Sequence, residues 1–364
     1  MKIVVFGLTI SSSWGNGHAT LWRGLCHALG RLGHTVTFFE HDTPYYRMNR
    51  DLAEMPGGGE LVLYEDWDAV RARAEREVRE ADAAMVTSYC PHGLEATGLV
   101  LGTGRALRVF YDLDTPVTLE RLERGETTTY IGPNGLEGFD LVLSYTGGAA
   151  LDELRSRLGA RRVIPLYGHV DPGVHRPAEA QARFAADLSY LGTYAADRQE
   201  ALEALFIEPA RLTPERRFLI AGAQYPGGFP WTDNIYFVHH LPPAEHPAFY
   251  ASSRLTLNVT RRAMARMGWC PSGRLFEAAA CGAPLLSDWF EGLDAFLEPG
   301  REIITARTTE EAVNAVCLSD AELRRMALAA RERVLAEHTS DARARTLEAA
   351  LDAARAAPRL VAAS

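Results

Sequence analysis

The stretch KIVVFGLTISSSWGNGHATLWRGLCHALGRLGHTVTFFE, residues 2–40, decides the fold of this chain. It begins and ends with short apolar runs, at residues 3–6 and 35–39, of the kind found in strands buried on both faces of a parallel sheet. Between the runs, apolar residues share one helical face up to Gly33. These residues are Leu21, Leu25, Ala28, Leu29 and Leu32. The stretch therefore predicts a strand, a helix and a second strand, which is the βαβ unit of α/β proteins.

The same alternation continues along the rest of the chain. Further strand-like runs lie at residues 61–63, 84–87, 106–111, 141–144, 163–166, 188–191, 218–221, 235–239, 255–259, 284–287 and 302–305. Helical patterns separate several of these runs, and from Asp320 onward only helical periodicity remains. The pattern predicts the α/β class, with parallel sheets covered by helices.

The length of 364 residues predicts two domains, because a single core rarely serves more than about 300 residues. The segment DPGVHRP combines two prolines and a glycine with polar residues, which breaks regular structure and suits a connection between domains. We therefore predict a Rossmann-like domain at residues 1–170, a linker at 171–180 and a second Rossmann-like domain at 181–340. Residues 341–364 are predicted as a final helix that could pack back on the first domain. Two such domains would leave a cleft for a ligand.

Composition and charge exclude several classes of function. The chain has the apolar and charged content of a globular protein, and no stretch approaches the roughly 20 apolar residues of a membrane helix. The first apolar run is too short for a signal-peptide core, so we expect a cytoplasmic protein without integral membrane contact. Five scattered cysteines, never spaced as CxxC, indicate neither disulfides nor a zinc site. A net charge of −9 disfavours a nucleic-acid partner, and nothing in the sequence indicates the oligomeric state.

A glycine-rich loop, SSSWGNGHAT, follows the first predicted strand. Gly15 and Gly17 permit a tight turn that would aim backbone N–H groups and a helix N-terminus at an anion, although an ordinary βα connection has the same composition. His18 follows directly, and a neutral imidazole there could take a proton from an acceptor hydroxyl. A helix cap or a surface position is the other interpretation of this histidine.

Glu40 supports a competing hypothesis. An acidic residue about 20 positions after a glycine-rich turn binds the ribose in NAD enzymes. In this sequence, however, Thr20 occupies the place of the third glycine, and the loop is longer than that motif allows. An NAD-dependent enzyme is therefore the less favoured interpretation.

Asp112 and Asp114, in FYDLDTP, end a predicted strand at the edge of the sheet where doubly wound folds place functional groups. Three roles compete for them. They could hold a divalent ion as a DxD pair, one of them could orient His18, or they could begin the turn before Pro116. Two complete Rossmann-like halves argue against the one-domain plan in which such a pair holds a metal. We therefore favour a partner or turn role and predict no metal site.

Two segments of the second half show a similar pattern, in which a glycine-containing loop precedes a helix. LGTYAADR places Gly192 and Thr193 between a strand and a helix, with Arg198 where it could pair with a diphosphate. In PSGRLFEAAACGAPLLSD a helix is predicted from about residue 274 to 280, preceded by Ser272 and Gly273 and ended by a glycine. The helix start would point at phosphates, and Glu277, one turn in, could accept both hydroxyls of a ribose.

The last of these segments, FEAAACGAPLLSD, resembles the EAxACGxPV signature of GT-B glycosyltransferases of the family-four type. The stretch GNGHATLWRGLCHALGRLGHTVTFFE is similar to the N-terminal GHxxPxxxLAxxLxxxGHxV pattern of the same enzymes. Several segments along most of the chain resemble CgeB-type proteins, a GT-B group named for spore maturation. They are WGNGHAT, HDTPYYRMNRDL, FYDLDTP, LGTYAADRQ, AGAQYP, LNVTRRAMARMGWCPSGRLFEAAACGAP and the segment from Trp289 to Gly300.

The resemblance implies a GT-B fold and a role for each matching residue. Arg198 and Arg274 would contact the diphosphate, and Glu277 the ribose. His240 and Leu241 would hold the base through backbone groups. The full donor-binding set that we predict is Gly15, Gly17, Gly192, Thr193, Arg198, Gln224, His240, Leu241, Ser272, Gly273, Arg274 and Glu277. The catalytic set is His18, Asp112 and Asp114.

One position departs from the family pattern. Retaining family-four enzymes carry another glutamate eight residues before the ribose glutamate, and here that position is Trp269. In inverting GT-B enzymes the histidine after the first glycine turn is the base, so a pair of His18 with Asp112 or Asp114 would fit inversion. Without such a pair, the departing phosphate could take the proton in a retaining reaction.

We therefore expect a metal- and cofactor-independent glycosyltransferase, of the hexosyl or N-acetylhexosaminyl type, that uses a nucleoside-diphosphate sugar, with UDP as the favoured nucleotide. Its acceptor would be a small molecule or a glycan. A nucleotide-sugar-binding protein without turnover remains the non-enzyme alternative. The donor sugar, the acceptor and the stereochemical outcome are left open by the sequence.

Overall fold

The computed structural model describes residues 1–357 and shows two compact units. The first unit comprises Met1–Tyr167 together with the chain from Ser340 onward, and the second is Gly168–Thr339. Residues 171–180, predicted as a linker, are part of the second unit. The end of the predicted final helix, residues 358–364, lies outside the described residues.

The first unit is built on a parallel sheet. Its strands are β1 (Lys2–Gly7), β2 (Thr35–His41), β3 (Glu60–Tyr64), β4 (Ala83–Thr87), β5 (Leu107–Asp112), β6 (Leu141–Ser144) and β7 (Val163–Pro165). Its helices begin with α1 (Gly17–Arg31), α2 (Pro44–Arg47), α3 (Trp67–Glu80), α4 (Gly93–Leu101), α5 (Thr115–Glu123) and α6 (Ala149–Leu158). Within the described chain the strand order is β3-β2-β1-β4-β5-β6-β7, the doubly wound arrangement of an α/β fold.

Alternation of side chains along the strands builds a core on each face of this sheet. From β1, Val4 and Phe6 pack with α3 and α4, whereas Ile3 and Val5 pack with α1. Apolar residues of the last helix, Ser340–Ala356, complete the α1 face, with Leu347 fully buried. Burial on both faces explains why the strands have continuous apolar sequences.

The second unit, every residue of which is described, contains the second parallel sheet. Its strands are β8 (Ala186–Leu191), β9 (Phe218–Gly222), β10 (Ile235–His239), β11 (Ser253–Asn258), β12 (Leu285–Ser287) and β13 (Ile304–Thr305). Its helices are α7 (Gln199–Leu202), α8 (Glu208–Leu212), α9 (His246–Ser252), α10 (Arg262–Met267), α11 (Gly273–Ala280), α12 (Thr309–Val316) and α13 (Asp320–Glu337), and a π-helical turn, Glu203–Ile207, joins α7 to α8. The strand order is β10-β9-β8-β11-β12-β13.

Helix α14 (Ser340–Ala356) returns the chain to the first unit. Besides its apolar contacts, the helix carries Asp341, which accepts a hydrogen bond from Arg31 at 2.7 Å, and Glu348, which lies 3.0 Å from His34. Among the described residues we find no helix with the length and hydropathy to span a bilayer.

Candidate functional site

In each sheet the strand order reverses next to the first strand of the unit, between β1 and β4 in the first unit and between β8 and β11 in the second. Loops that leave the carboxyl ends of strands at such a point diverge and open a crevice for ligands. The predicted site residues of each unit lie on or next to these loops.

Glu40 holds the glycine-rich loop of the first unit. Its side chain is fully buried, and each carboxylate oxygen accepts two hydrogen bonds. The donors are the hydroxyls of Thr9 and Ser11 and the backbone N–H groups of Ile10 and Ser11, at 2.5–3.0 Å. Both carboxylate oxygens are therefore bound to the loop, and Glu40 is not available to a ribose. This removes the residue on which the hypothesis of an NAD-dependent enzyme mainly rested.

Helix α1 begins earlier than the loop composition indicated. Asn16 is the N-cap, and its side chain accepts the backbone N–H of His18 at 3.0 Å. Thr20 therefore lies inside the helix rather than at its mouth. Gly15 has a φ of +61°, a conformation that favours glycine, and Gly17 faces open space.

The His18 side chain points to the end of β5. Its Nε2 lies 3.4 Å from Oδ2 of Asp114, the N-cap residue of α5. The ring centroid of Tyr89 is 6.0 Å from that of His18, and Tyr89 has a φ of +64°. A non-glycine residue held in this region marks a constrained backbone, which is more frequent at functional sites than elsewhere.

Asp112 plays a different part from Asp114. It is fully buried, and its Oδ1 accepts the backbone N–H of Asp114 and the hydroxyl of Thr118, both at 3.1 Å. Burial raises the pKa of Asp112 to about 6, partly offset by these hydrogen bonds. Asp112 thus fixes the first turn of α5, and Asp114 is the carboxylate that reaches His18.

In the second unit, the loop after β8 approaches helix α11 closely. A Cβ on Gly192 would lie 2.7 Å from the hydroxyl of Tyr190 and 3.0 Å from Nη1 of Arg274. Glycine is therefore needed at this position, because a side chain would displace Tyr190 or Arg274.

Two arginines meet at this loop. Arg198 donates from Nη1 to the carbonyl of Thr193, and Arg274 from Nη1 to the carbonyl of Leu191, both at 3.1 Å. Burial lowers the pKa of Arg198, and the positive charge of Arg274 adds to this effect. In the part of the chain that the structure describes, neither guanidinium forms a salt bridge with a carboxylate. The loop after β8 therefore carries two partly buried positive charges without an anion.

Helix α11 adds its N-terminus and the carboxylate of Glu277 to the two arginines. Ser272 is its N-cap and accepts the backbone N–H of Arg274. Glu277, one turn further, has a side chain only 13% exposed, and burial raises its pKa despite the opposing influence of His246 and Arg274. The helix N-terminus, both arginines and this carboxylate thus belong to one site.

The remaining predicted donor residues follow the neighbouring strands. Gln224, after β9, is exposed and has a φ of +65°. His240, after β10, has a φ of +46° and donates its backbone N–H to the carbonyl of Gly222 at 2.8 Å. Leu241 is buried. Because β8, β9 and β10 are adjacent and parallel, these residues and Arg198 end up at the same edge of the sheet.

Sequence reasoning missed three groups around Glu277. His175 is 1% exposed with Nε2 at 4.0 Å from Oε2 of Glu277, and the ring centroid of His246 lies 5.7 Å from that of His175. Burial lowers the pKa of each histidine to about 4. Tyr250 is buried, and its hydroxyl has no hydrogen-bond partner among the described residues. A histidine one or two residues before a proline, in VHRP and EHPA, was the only sequence signal for the two histidines.

The predicted residues therefore form two groups. Gly15, Gly17, His18, Asp112 and Asp114 come together in the first unit. Gly192, Thr193, Arg198, Gln224, His240, Leu241, Ser272, Gly273, Arg274 and Glu277 lie at one edge of the second.

Residues 198–349 match a protein family described as "Glycosyl transferase-like". The match begins at Arg198 and includes helix α11. No curated protein matches the sequence.

Solved glycosyltransferase structures share the whole architecture. Sucrose-phosphate synthase from Thermosynechococcus elongatus has a TM-score of 0.71 at 14% identity, over 98% of this chain and 100% of that one. HepE of Anabaena, in complex with UDP and glucose, gives 0.66 at 13%, over 97% and 100%. BGT of phage T4, in complex with its UDP-glucose substrate, gives 0.61 at 13%, also over 97% and 100%. At these identities the likeness is one of fold, and the GT-B fold expected from the sequence is confirmed.

Proposed function

We propose that this protein is a glycosyltransferase that uses a nucleoside-diphosphate sugar, bound by the second unit, and a general base from the first. The observation that carries the proposal is the pair Arg198 and Arg274, two partly buried cations without a carboxylate partner. Buried charges are costly unless they are paired, and a diphosphate supplies the missing negative charge. The family match over this segment supports the same conclusion.

The neighbouring groups fit the rest of such a donor. The N-terminus of α11, beside the two arginines, suits phosphate oxygens. Glu277 is close enough to Arg274 for the positive charge to lower its pKa against the effect of burial, and its carboxylate can accept hydrogen bonds from both hydroxyls of a ribose. His240 and Leu241 follow the adjacent strand and would offer backbone groups to the base. UDP is the nucleotide that we favour, because the matching HepE and BGT structures contain UDP or UDP-glucose.

We propose that the transfer needs no metal. As the bond to the sugar breaks, negative charge accumulates on the leaving diphosphate, and fixed cations and helix dipoles can stabilise that charge in place of a metal ion. Arg198 and Arg274 are positioned for this role by the carbonyls of Thr193 and Leu191.

His18 is the proposed general base. Asp114 lies 3.4 Å from its Nε2 and can stabilise the imidazolium that forms when the acceptor hydroxyl loses its proton. A histidine and carboxylate pair of this kind supports an inverting reaction, and Trp269 stands where retaining relatives carry a glutamate. The transferred sugar in this proposal is a hexose or an N-acetylhexosamine from a nucleotide donor. The acceptor is a small molecule or a glycan.

A thermal-shift screen tests the donor class directly, since a ligand that binds the folded state raises its melting temperature. The panel contains UDP-glucose, UDP-N-acetylglucosamine, GDP-mannose, dTDP-glucose and NADH. We expect stabilisation by UDP-sugars and none by NADH. Release of UDP in the presence of candidate acceptors then separates an enzyme from a binding protein. Stabilisation by NADH alone, or by no nucleotide sugar, contradicts the proposal.

A further inference from the structure

Three side chains of the second unit form a cluster that sugar transfer does not use as a whole. His175, His246 and Glu277 each present one ligand atom, and these atoms lie within 4.8 Å of one another. Nε2 of His175 and Oε2 of Glu277 are 4.0 Å apart, which is too long for a hydrogen bond. The three residues come from separate segments, so the fold itself assembles the cluster.

The ring nitrogens of the two histidines are the second observation. Among the described residues, neither nitrogen of His175 and not Nδ1 of His246 has a hydrogen-bond partner, although all three are buried. Buried polar atoms nearly always have partners, and an exception points to a group that completes the site. The His175 side chain is 1% exposed, so bulk water does not serve it.

The tautomer of His246 is set by its other nitrogen. Nε2 lies 3.2 Å from the backbone carbonyl of Leu241, which can only accept, so Nε2 carries the proton and donates it. Nδ1 then holds a free lone pair. A ligand histidine whose second nitrogen donates to a carbonyl is the usual arrangement around protein-bound metals.

We propose that His175, His246 and Glu277 form a binding site for a divalent transition-metal ion such as zinc. Two imidazoles and one carboxylate suit zinc and its first-row neighbours, whereas magnesium and calcium prefer oxygen ligands alone. With metal bonds of about 2.1 Å in tetrahedral geometry, the ligand atoms would be about 3.4 Å apart. The ligand atoms lie within 4.8 Å of one another, with 4.0 Å between Nε2 of His175 and Oε2 of Glu277, so metal binding requires the side chains to approach by up to about 1.4 Å.

Occupation of this site weakens nucleotide binding, a consequence that rests on the function proposed above. A metal ion that takes one oxygen of Glu277 leaves a single oxygen for the two ribose hydroxyls. The coupling is reciprocal, so the nucleotide lowers the affinity for the metal by the same factor. The site would thus make donor binding sensitive to transition metals.

Metal binding is tested on the full-length protein with Zn²⁺ alone, by calorimetry, and with Co²⁺ alone, by its visible absorption. We expect one equivalent to bind. His175→Ala and His246→Ala should each weaken binding at least about tenfold, because each removes one of three ligands. His239→Ala, at the exposed end of β10, is the matched control and should bind as the wild type does.

Circular dichroism confirms that each variant is folded. Because His175 is buried, the wild-type titration is decisive if that variant does not fold. Failure of the folded wild-type protein to take up one equivalent of either metal, or unchanged binding in the folded His246→Ala variant, overturns the proposed site.

Uridine separates this proposal from the proposed function, since it has a ribose and no phosphate that could chelate the ion. We expect uridine to bind the metal-free protein and to bind less well after Co²⁺ is added. Simultaneous binding at full affinity overturns the competition while the metal site stands. Failure of uridine to bind the metal-free protein overturns the nucleotide site, and the metal titration is unaffected.

Discussion

Nε2 of His18 lies 3.4 Å from Oδ2 of Asp114, and both side chains are more than three-quarters buried. This contact joins the first turn of α1 to the first turn of α5. We predict that His18→Ala lowers turnover by about 10²–10⁴-fold, the usual contribution of a general base, while UDP affinity stays the same. UDP release under saturating donor, together with calorimetry, measures both effects.

His27 provides the control for that prediction. It lies on the same helix and is exposed, so His27→Ala should leave turnover unchanged. Equal turnover of the His18→Ala variant and the wild type would remove His18 from the role of base.

The second prediction concerns the ribose contact. Glu277→Gln keeps the size of the side chain but removes the charge that strengthens hydrogen bonds to two hydroxyls. Hydrogen bonds to a charged group contribute about 1.5–3 kcal/mol each, so UDP affinity should fall about tenfold or more. Calorimetry with UDP measures the effect, and Glu332→Gln, on the exposed face of α13, is the control. An unchanged dissociation constant contradicts the ribose assignment.

The third prediction distinguishes phosphate contacts from base and ribose contacts. Arg198→Ala and Arg274→Ala should each weaken UDP binding by about tenfold or more, because a charge-assisted contact is lost. Uridine has no phosphate, so its affinity should change little. Arg211→Ala, at an exposed position of α8, serves as control. Equal losses for UDP and uridine would indicate general damage to the site instead.

The fourth prediction follows from the pKa of Asp112, which burial raises to about 6. An acid whose pKa is higher in the folded state than in the unfolded state, about 3.9, destabilises the fold as it ionises. Stability from this group is therefore present below about pH 4 and is lost as the pH rises through 6. The Asp112→Asn side chain keeps an oxygen that can accept the hydrogen bonds from Asp114 and Thr118. Because an amide does not ionise, the variant does not lose this stability as the pH rises.

The Asp112→Asn variant should therefore gain up to about 3 kcal/mol over the wild type between pH 4 and pH 7. Denaturant titrations across this range measure the difference. Asp152→Asn, at an exposed position of α6, should show no comparable trend. A difference in the free energy of unfolding between Asp112→Asn and the wild type that does not change with pH contradicts the prediction.

The fifth prediction contrasts two glycines in helices. A Cβ on Gly30 would lie 2.4 Å from the carbonyl oxygen of Gly57, so Gly30→Ala forces backbone to move and should cost about 1–3 kcal/mol. Gly98, in α4, has nothing within 4 Å, and Gly98→Ala should stabilise by up to about 1 kcal/mol. Thermal unfolding of both variants gives the signs, and two shifts of the same sign would contradict this packing.

Most of the fold could be predicted from the sequence, because its strands are buried on both faces. Each apolar run predicted as a strand overlaps a strand of the structure, and no predicted end differs from the observed end by more than two residues. The predicted loop after β1 extended to Thr20, whereas α1 begins at Gly17, because the composition of the loop hid the N-cap role of Asn16. Which strands lie next to each other depends on tertiary packing, and no run of residues encodes it locally.

The candidate site was predictable where it follows a loop motif and not where distant segments meet. Arg198 was found because it follows a glycine-containing loop at a predicted helix start, and Arg274 was found through the resemblance of its segment to the GT-B signature. His175 and His246 were missed, since no spacing connects residues 71 positions apart that meet only in the folded chain. Likewise, the inward turn of Glu40 toward Ser11 is invisible in a sequence that resembles a dinucleotide motif.

The return of α14 to the first unit has a consequence for biosynthesis. Leu347 and its neighbours cover one face of the first sheet, yet the ribosome makes them only after all of Gly168–Thr339. Translation adds about 5–20 residues per second, so that face of the sheet stays exposed to water for on the order of ten seconds or more before α14 is made. The second unit, whose residues are consecutive, can complete its core first, and the first unit reaches its final fold only after α14 has been made.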